Sequence, residues 1–137
     1  MLIYSPVLTA TKRFITGSCE SGTLSIGDAI RVASASVAGV NPVAKVDIDD
    51  QAKMPAVGVV VSVQTPTLVT LQLSGDVYGL LSGMAFGVPV FIGVDGSVTQ
   101  TKPSNPLSGY RCIQMIGYPI DDDVFLLNFQ PTIKVLP

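Results

Sequence analysis

Residues 87–100, "GVPVFIGVDGSVTQ", decide the fold class. Two short runs rich in Val, Ile and Phe meet across Asp95-Gly96, and neither run has a helical period. An Asp-Gly pair between such runs is among the strongest short-range hairpin signals. A two-residue type I′ turn needs positive φ at both central positions, and Asp and Gly tolerate it. That turn predicts Val94 opposite Ser97 and Ile92 opposite Thr99. The stretch therefore reads as one hairpin of a β protein, and its Gly and Asp residues need no ligand to explain them.

The rest of the chain follows the same grammar. The 137 residues hold 13 Gly and 10 Pro, so the apolar segments are short and separated by frequent turn signals. Strands are expected at 9–16, 29–34, 43–48, 57–63, 67–73, 76–81, 88–94, 97–101, 110–118 and 123–129. Pro55 bars a helix through "QAKMPAVGVVV", which leaves at most a turn at 48–54. The tail 130–137 is extended, because Pro131 and Pro137 exclude a helix. The expected fold is all-β, a small barrel or a two-sheet sandwich, as one domain over residues 1–137.

The chain also repeats itself. "GTLSIGDAIRV" from Gly22 resembles "GLLSGMAFGVPV" from Gly79, with Gly27 matched to Gly83. Further on, "PAVGVVVS" around Gly58 parallels "IQMIGYPI" around Gly117. The offsets, 57 and 59 residues, are nearly equal. Two related β halves are the reading, each with a glycine inside an apolar strand where a neighbouring backbone comes close.

Composition narrows the function. Charged residues make up 13% of the chain, about half the usual share, so part of the surface is expected to be covered by other subunits. The eight Lys and Arg are scattered and the net charge is −2. That leaves no footprint for nucleic acid. No apolar run approaches the roughly 18 residues of a membrane span, and residues 1–14 lack the basic start of a signal peptide. A soluble chain assembled in a cytoplasm is expected.

The absence of histidine removes the commonest general base and excludes a histidine-dependent triad at Ser18, Cys19 and Glu20. Cys19 and Cys112 have no metal-motif spacing and read as two small buried apolar residues. Whether they are bonded is left open. Asp47 and Asp49 fall on one face of a predicted strand, but no Trp and few other aromatics accompany them. "PIDDDV" at 119–124 offers three carboxylates, Asp121 to Asp123. Neighbours on an extended chain point opposite ways, so a solvated turn is expected rather than a Ca²⁺ site. No catalytic residue, cofactor or metal is assigned. The loops 35–42 and 101–109 are candidate surface loops.

The pieces Gly27-Asp28-Ala29-Ile30-Arg31-Val32, Val57-Gly58-Val59-Val60, Gly87-Val88-Pro89-Val90-Phe91-Ile92, Asp95-Gly96-Ser97-Val98 and Ile113 to Gly117 together resemble phage head-decoration and head-fibre proteins. The resemblance covers most of residues 22–129. It implies a non-enzymatic virion protein, a capsid decoration or cement protein that forms homotrimers and contacts the major capsid protein. A tail, baseplate or fibre module, and a carbohydrate- or host-surface-binding domain using Tyr4, Tyr78, Tyr110 and Tyr118, are the alternatives. Residues 1–14 match no part of that pattern. There Leu2, Ile3, Tyr4 and Val7 are apolar and Lys12 and Arg13 are adjacent cations. These six are the interface candidates, on an arm that adds to a neighbour's sheet or on the first strand of the chain's own barrel.

Overall fold

The computed structural model describes residues 11–137. In chain order the strands are β1 (Arg13–Ser18), β2 (Ala29–Val32), β3 (Asn41–Lys45), β4 (Gly58–Thr65), β5 (Leu68–Tyr78), β6 (Val90–Ile92), β7 (Val98–Thr99), β8 (Arg111–Ile113), β9 (Met115–Pro119), β10 (Val124–Leu127) and β11 (Ile133–Val135). Among the described residues one 3₁₀ turn, Gln51–Lys53, lies within the 48–54 turn; the Asp50 side chain caps it by accepting from the Ala52 amide. The all-β expectation holds.

Five strands close a barrel. β1, β3, β2, β4 and β5 are hydrogen-bonded in that order, and β5 returns to β1. Leu24, Ile30, Val43, Val60, Val69 and Leu71 fill its interior. β5 outruns the barrel. Its first residues pair with β1 and β4, and Gly75 to Tyr78 pair instead with β10. The sheet then continues through β9 and β6 to β7.

The duplicated pattern is visible in this order. The run β3-β2-β4-β5 is followed by β10-β9-β6-β7, the same four-strand unit in reverse. Ile30 pairs with Gly58 in one half and Val90 with Gly117 in the other. Gly27 corresponds in place to Gly87, 60 residues on, rather than to Gly83. The extra residues fall in the irregular segment before β6, and local similarity of "GLLSG" to "GTLSIG" hid that insertion.

The two halves share a wall. On β2, Ile30 faces the barrel while Ala29 joins a second core with Val46, Ile48, Val77, Ile92, Ile116, Phe125 and Leu127. On β4, Val60 and Val59 divide in the same way. Strands buried on both faces lose the apolar–polar alternation, which is why "VGVVV" is continuously apolar. The hairpin at 93–97 brings the second unit back to this wall. Ala29 N–H donates to the Gly96 carbonyl at 2.8 Å, and Val98 N–H to that of Gly27 at 3.1 Å. Between them Asp28 lies opposite Ser97. The buried Asp28 carboxylate accepts from the Ser25 amide at 2.8 Å and meets Lys45 Nζ at 3.4 Å, so its charge is compensated.

Several local expectations need correction. The hairpin loop has three residues, not two. Gly93 N–H donates to the Ser97 carbonyl and Gly96 N–H to that of Gly93. Phe91 is therefore opposite Thr99 and Ile92 opposite Val98, one residue off the predicted register. Only Gly96 takes positive φ there, at +80°. Asp95 instead accepts from the Ser97 amide and hydroxyl, an Asx turn that a type I′ reading omits. The strands expected at 67–73 and 76–81 are one strand, because Gly75 lies inside β5 opposite Leu127. The strand expected at 110–118 divides into β8 and β9. Of the two readings left open for residues 1–14, a sheet-adding arm or the chain's own first strand, Arg13 and Phe14 follow the second, as part of barrel strand β1. The tail is extended, as expected, and its Ile133–Val135 segment pairs with β8 as β11.

Candidate interaction surface

β5, β10 and β9 lie side by side. Val77, Phe125 and Leu127 point into the second core, and the alternate residues face outward. Asp76, Leu126 and Tyr118 form one cross-strand row. The next row places Tyr78 opposite Val124, with Ile120 beyond, where the Ile120 amide donates to the Val124 carbonyl. Tyr78 is 59% exposed, Ile120 53% and Tyr118 48%. Tyr78 on β5, Tyr118 on β9 and Ile120 just beyond it are large side chains left open on one side, next to Asp76 and the partly buried Leu126, and such a group signals an interface more strongly than scattered exposed residues.

Lys12 and Arg13 adjoin this face. Arg13 opens β1 opposite Ser74, and the Ser74 hydroxyl donates to the Thr11 carbonyl at 2.6 Å. These contacts bring Lys12 Nζ to 4.7 Å from the centre of the Tyr78 ring, a cation–π geometry. Leu2, Ile3, Tyr4 and Val7 lie outside the described residues. Tyr78 and Tyr118, singled out as aromatics, do share this face. Tyr110 does not: its hydroxyl accepts from the Gln51 amide, and Lys134 lies over its ring. Ile120 and Leu126 were missed. The signal for them was the alternation in "MIGYPI" and "DVFLLNF", which becomes a shared surface only when the pairing of these strands with β5 is known.

Asp121, Asp122 and Asp123 occupy the turn between β9 and β10. Their carboxylate oxygens lie within 4.8 Å of one another and all three are exposed. They converge because the segment turns, whereas the expectation of divergence assumed an extended chain. The backbone of this turn also holds the start of the second unit: Asp123 and Asp122 carbonyls accept from the Gly79 and Met84 amides.

The other candidates are structural. Asp47 and Asp49 are not on a strand; the Asp49 amide donates to Asp47 Oδ1 in the turn after β3. Asp49 pairs with Arg111 at 2.8 Å and raises its pKa through that hydrogen bond. Arg111 also donates to the Ser104 carbonyl, which pins the 101–109 loop to β8. Cys19 and Cys112 are both free thiols. Burial pushes the Cys112 pKa up.

Comparison with protein-family models, curated proteins and solved structures gives no match.

Proposed function

We propose that this chain is a non-enzymatic virion structural protein, a capsid decoration protein that self-associates, with a trimer favoured, and contacts the major capsid protein. Tyr78, Tyr118 and Ile120, large side chains left open on one side, carry the reading, because such a group is stable in water when another surface covers it. The low charge content and the resemblance of residues 22–129 to head-decoration proteins support it. Light scattering on purified protein, and sedimentation with expanded heads of the phage that encodes it, test it. A stable trimer that co-sediments is the expected result; a monomer that stays in the supernatant overturns it.

A tail or fibre module is the nearest alternative, and tail genes rather than a capsid gene beside this one would favour it. A carbohydrate-binding reading draws on Tyr78 and Tyr118 sharing one face. Lys12 already stacks on Tyr78, so a sugar ring there would have to displace it. Hits on a glycan array that disappear in Y118A would favour that reading.

A further inference from the structure

We infer that Asp95-Gly96 is a latent modification site, an aspartate that isomerises to isoaspartate once its hairpin opens, and that Ser97 and Gly93 hold the reaction off while the hairpin is closed. The inference is independent of the function proposed above.

The sequence supplies the chemistry. Asp95 is the one aspartate followed by glycine, and no asparagine is. Glycine has no Cβ, so its amide reaches the preceding side chain with the least hindrance. In the reaction the Gly96 nitrogen gives its proton to solvent and attacks Asp95 Cγ. An N–Cγ bond forms, the Cγ–OH bond breaks, and that oxygen leaves as water. A second water then adds to the Asp95 main-chain carbonyl carbon of the cyclic imide and breaks its bond to nitrogen. One water is lost and one regained, so the mass is unchanged. The backbone now runs through Asp95 Cβ and Cγ.

The closed hairpin engages both reacting groups. Gly96 N–H donates to the Gly93 carbonyl at 3.0 Å, so its proton is held. Asp95 Oδ1 accepts from the Ser97 hydroxyl at 2.7 Å and from the Ser97 amide at 3.1 Å. A Cβ built at Gly93 would lie 3.2 Å from that same oxygen, so the carboxylate is turned over the loop toward Ser97. These bonds favour the ionised carboxylate, which has no neutral hydroxyl to leave. Gly96 is also buried, against Lys45 and Val46. Local opening frees both groups at once. The product keeps the hairpin open, because its backbone is one atom longer. That extra atom moves Gly96 off Val46 and breaks the bond from Ala29, so the wall shared by the two units loosens.

The test follows isoaspartate at neutral pH in folded wild type, in the same chain denatured with guanidinium, and in S97A, S97T and G58A. Enzymatic methylation of the isoaspartyl carboxylate measures it, and peptide mapping places it at residue 95. Folded wild type is expected to react at about a tenth or less of the denatured rate, since only the opened fraction reacts. Folded S97A, checked by far-UV spectrum and melting curve, loses the hydroxyl bond and should react about threefold faster than wild type or more. S97T keeps a hydroxyl and should restore the slow rate. G58A is destabilised away from the hairpin and should stay within about twofold of wild type. The inference is overturned if folded wild type reacts as fast as the denatured chain, if folded S97A is no faster than wild type, or if G58A accelerates as much as S97A. Should S97A not fold, the comparison of folded with denatured wild type decides.

Discussion

Gly96 sits against Val46. A Cβ built at Gly96 would lie 2.8 Å from the Val46 carbonyl oxygen and 2.8 Å from Lys45 Cε. The hairpin that ends the second unit therefore seats its glycine on the chain just after β3. It is held there by the hydrogen bond from Ala29 to the Gly96 carbonyl.

G96A meets both a backbone contact and a φ of +80°. A non-glycine residue at positive φ costs about 1–2 kcal/mol, and overpacking adds about 1–3 kcal/mol. Chemical denaturation should show a loss of about 2–5 kcal/mol. A loss below about 0.5 kcal/mol would mean that the hairpin does not seat on β2 and β3.

The two repeat-equivalent glycines should differ. At Gly117 an added Cβ runs into the Leu126 carbonyl on β10, whereas at Gly58 it meets the end of the Leu73 side chain at 3.0 Å and the Gln72 carbonyl oxygen only at 3.2 Å. Backbone cannot yield as a side chain can. G117A should cost about 3 kcal/mol or more and G58A about 1 kcal/mol. Equal melting shifts for the two variants would contradict the register of β9 on β10.

Gln114 is a buried polar clasp. Its Oε1 accepts from the Ala56 amide at 2.9 Å, and its Nε2 donates to the Ala56 and Gln130 carbonyls. Q114L keeps the volume but strands these backbone groups. Leaving the two buried Ala56 groups unpaired costs about 1–3 kcal/mol each, so a loss of about 2–6 kcal/mol is expected by denaturant titration.

Asp95 links stability to pH. Its hydrogen bonds from the Ser97 hydroxyl and amide lower its pKa in the folded state. A lowered folded value means that the ionised form stabilises the fold. That stabilisation is complete above the unfolded-state pKa of about 3.9 and is lost as pH falls through the lower folded value. D95N removes the titration, so the stability gap between wild type and D95N should shrink on acidification. A gap that widens with falling pH would rule out the assignment.

The thiols should react unequally. Cys112 is buried and its pKa is raised by that burial, while Cys19 is half-buried at the barrel end. Because the thiolate is the reactive form, an alkylating reagent at neutral pH should label Cys19 well before Cys112, as mass spectrometry of timed samples will show.

Strand existence was legible because it depends on near neighbours. Val, Ile and Thr between Gly and Pro signals are local facts, and so was the duplication, since each half needs its own glycine where strands approach. The hairpin register was not legible. Asp95-Gly96 is compatible with a two-residue or a three-residue loop, and the Asp95 bonds to Ser97 together with the seat on Ala29 select the second. The break between β8 and β9 was likewise invisible in the continuous apolar run 110–118, because β8 turns aside to pair with β11.

Chain chemistry alone thus established an all-β domain of two related halves without histidine chemistry. Folding in three dimensions decided which surfaces those halves share and which stay open. Ala29 and Ile30, adjacent in sequence, serve separate cores because successive side chains leave a strand on opposite faces. Tyr78, Tyr118 and Ile120 share one side because β10 lies between β5 and β9, and the β5–β10 pairing, from Tyr78↔Val124 to Gly75↔Leu127, joins residues far apart in the chain and has no local signature.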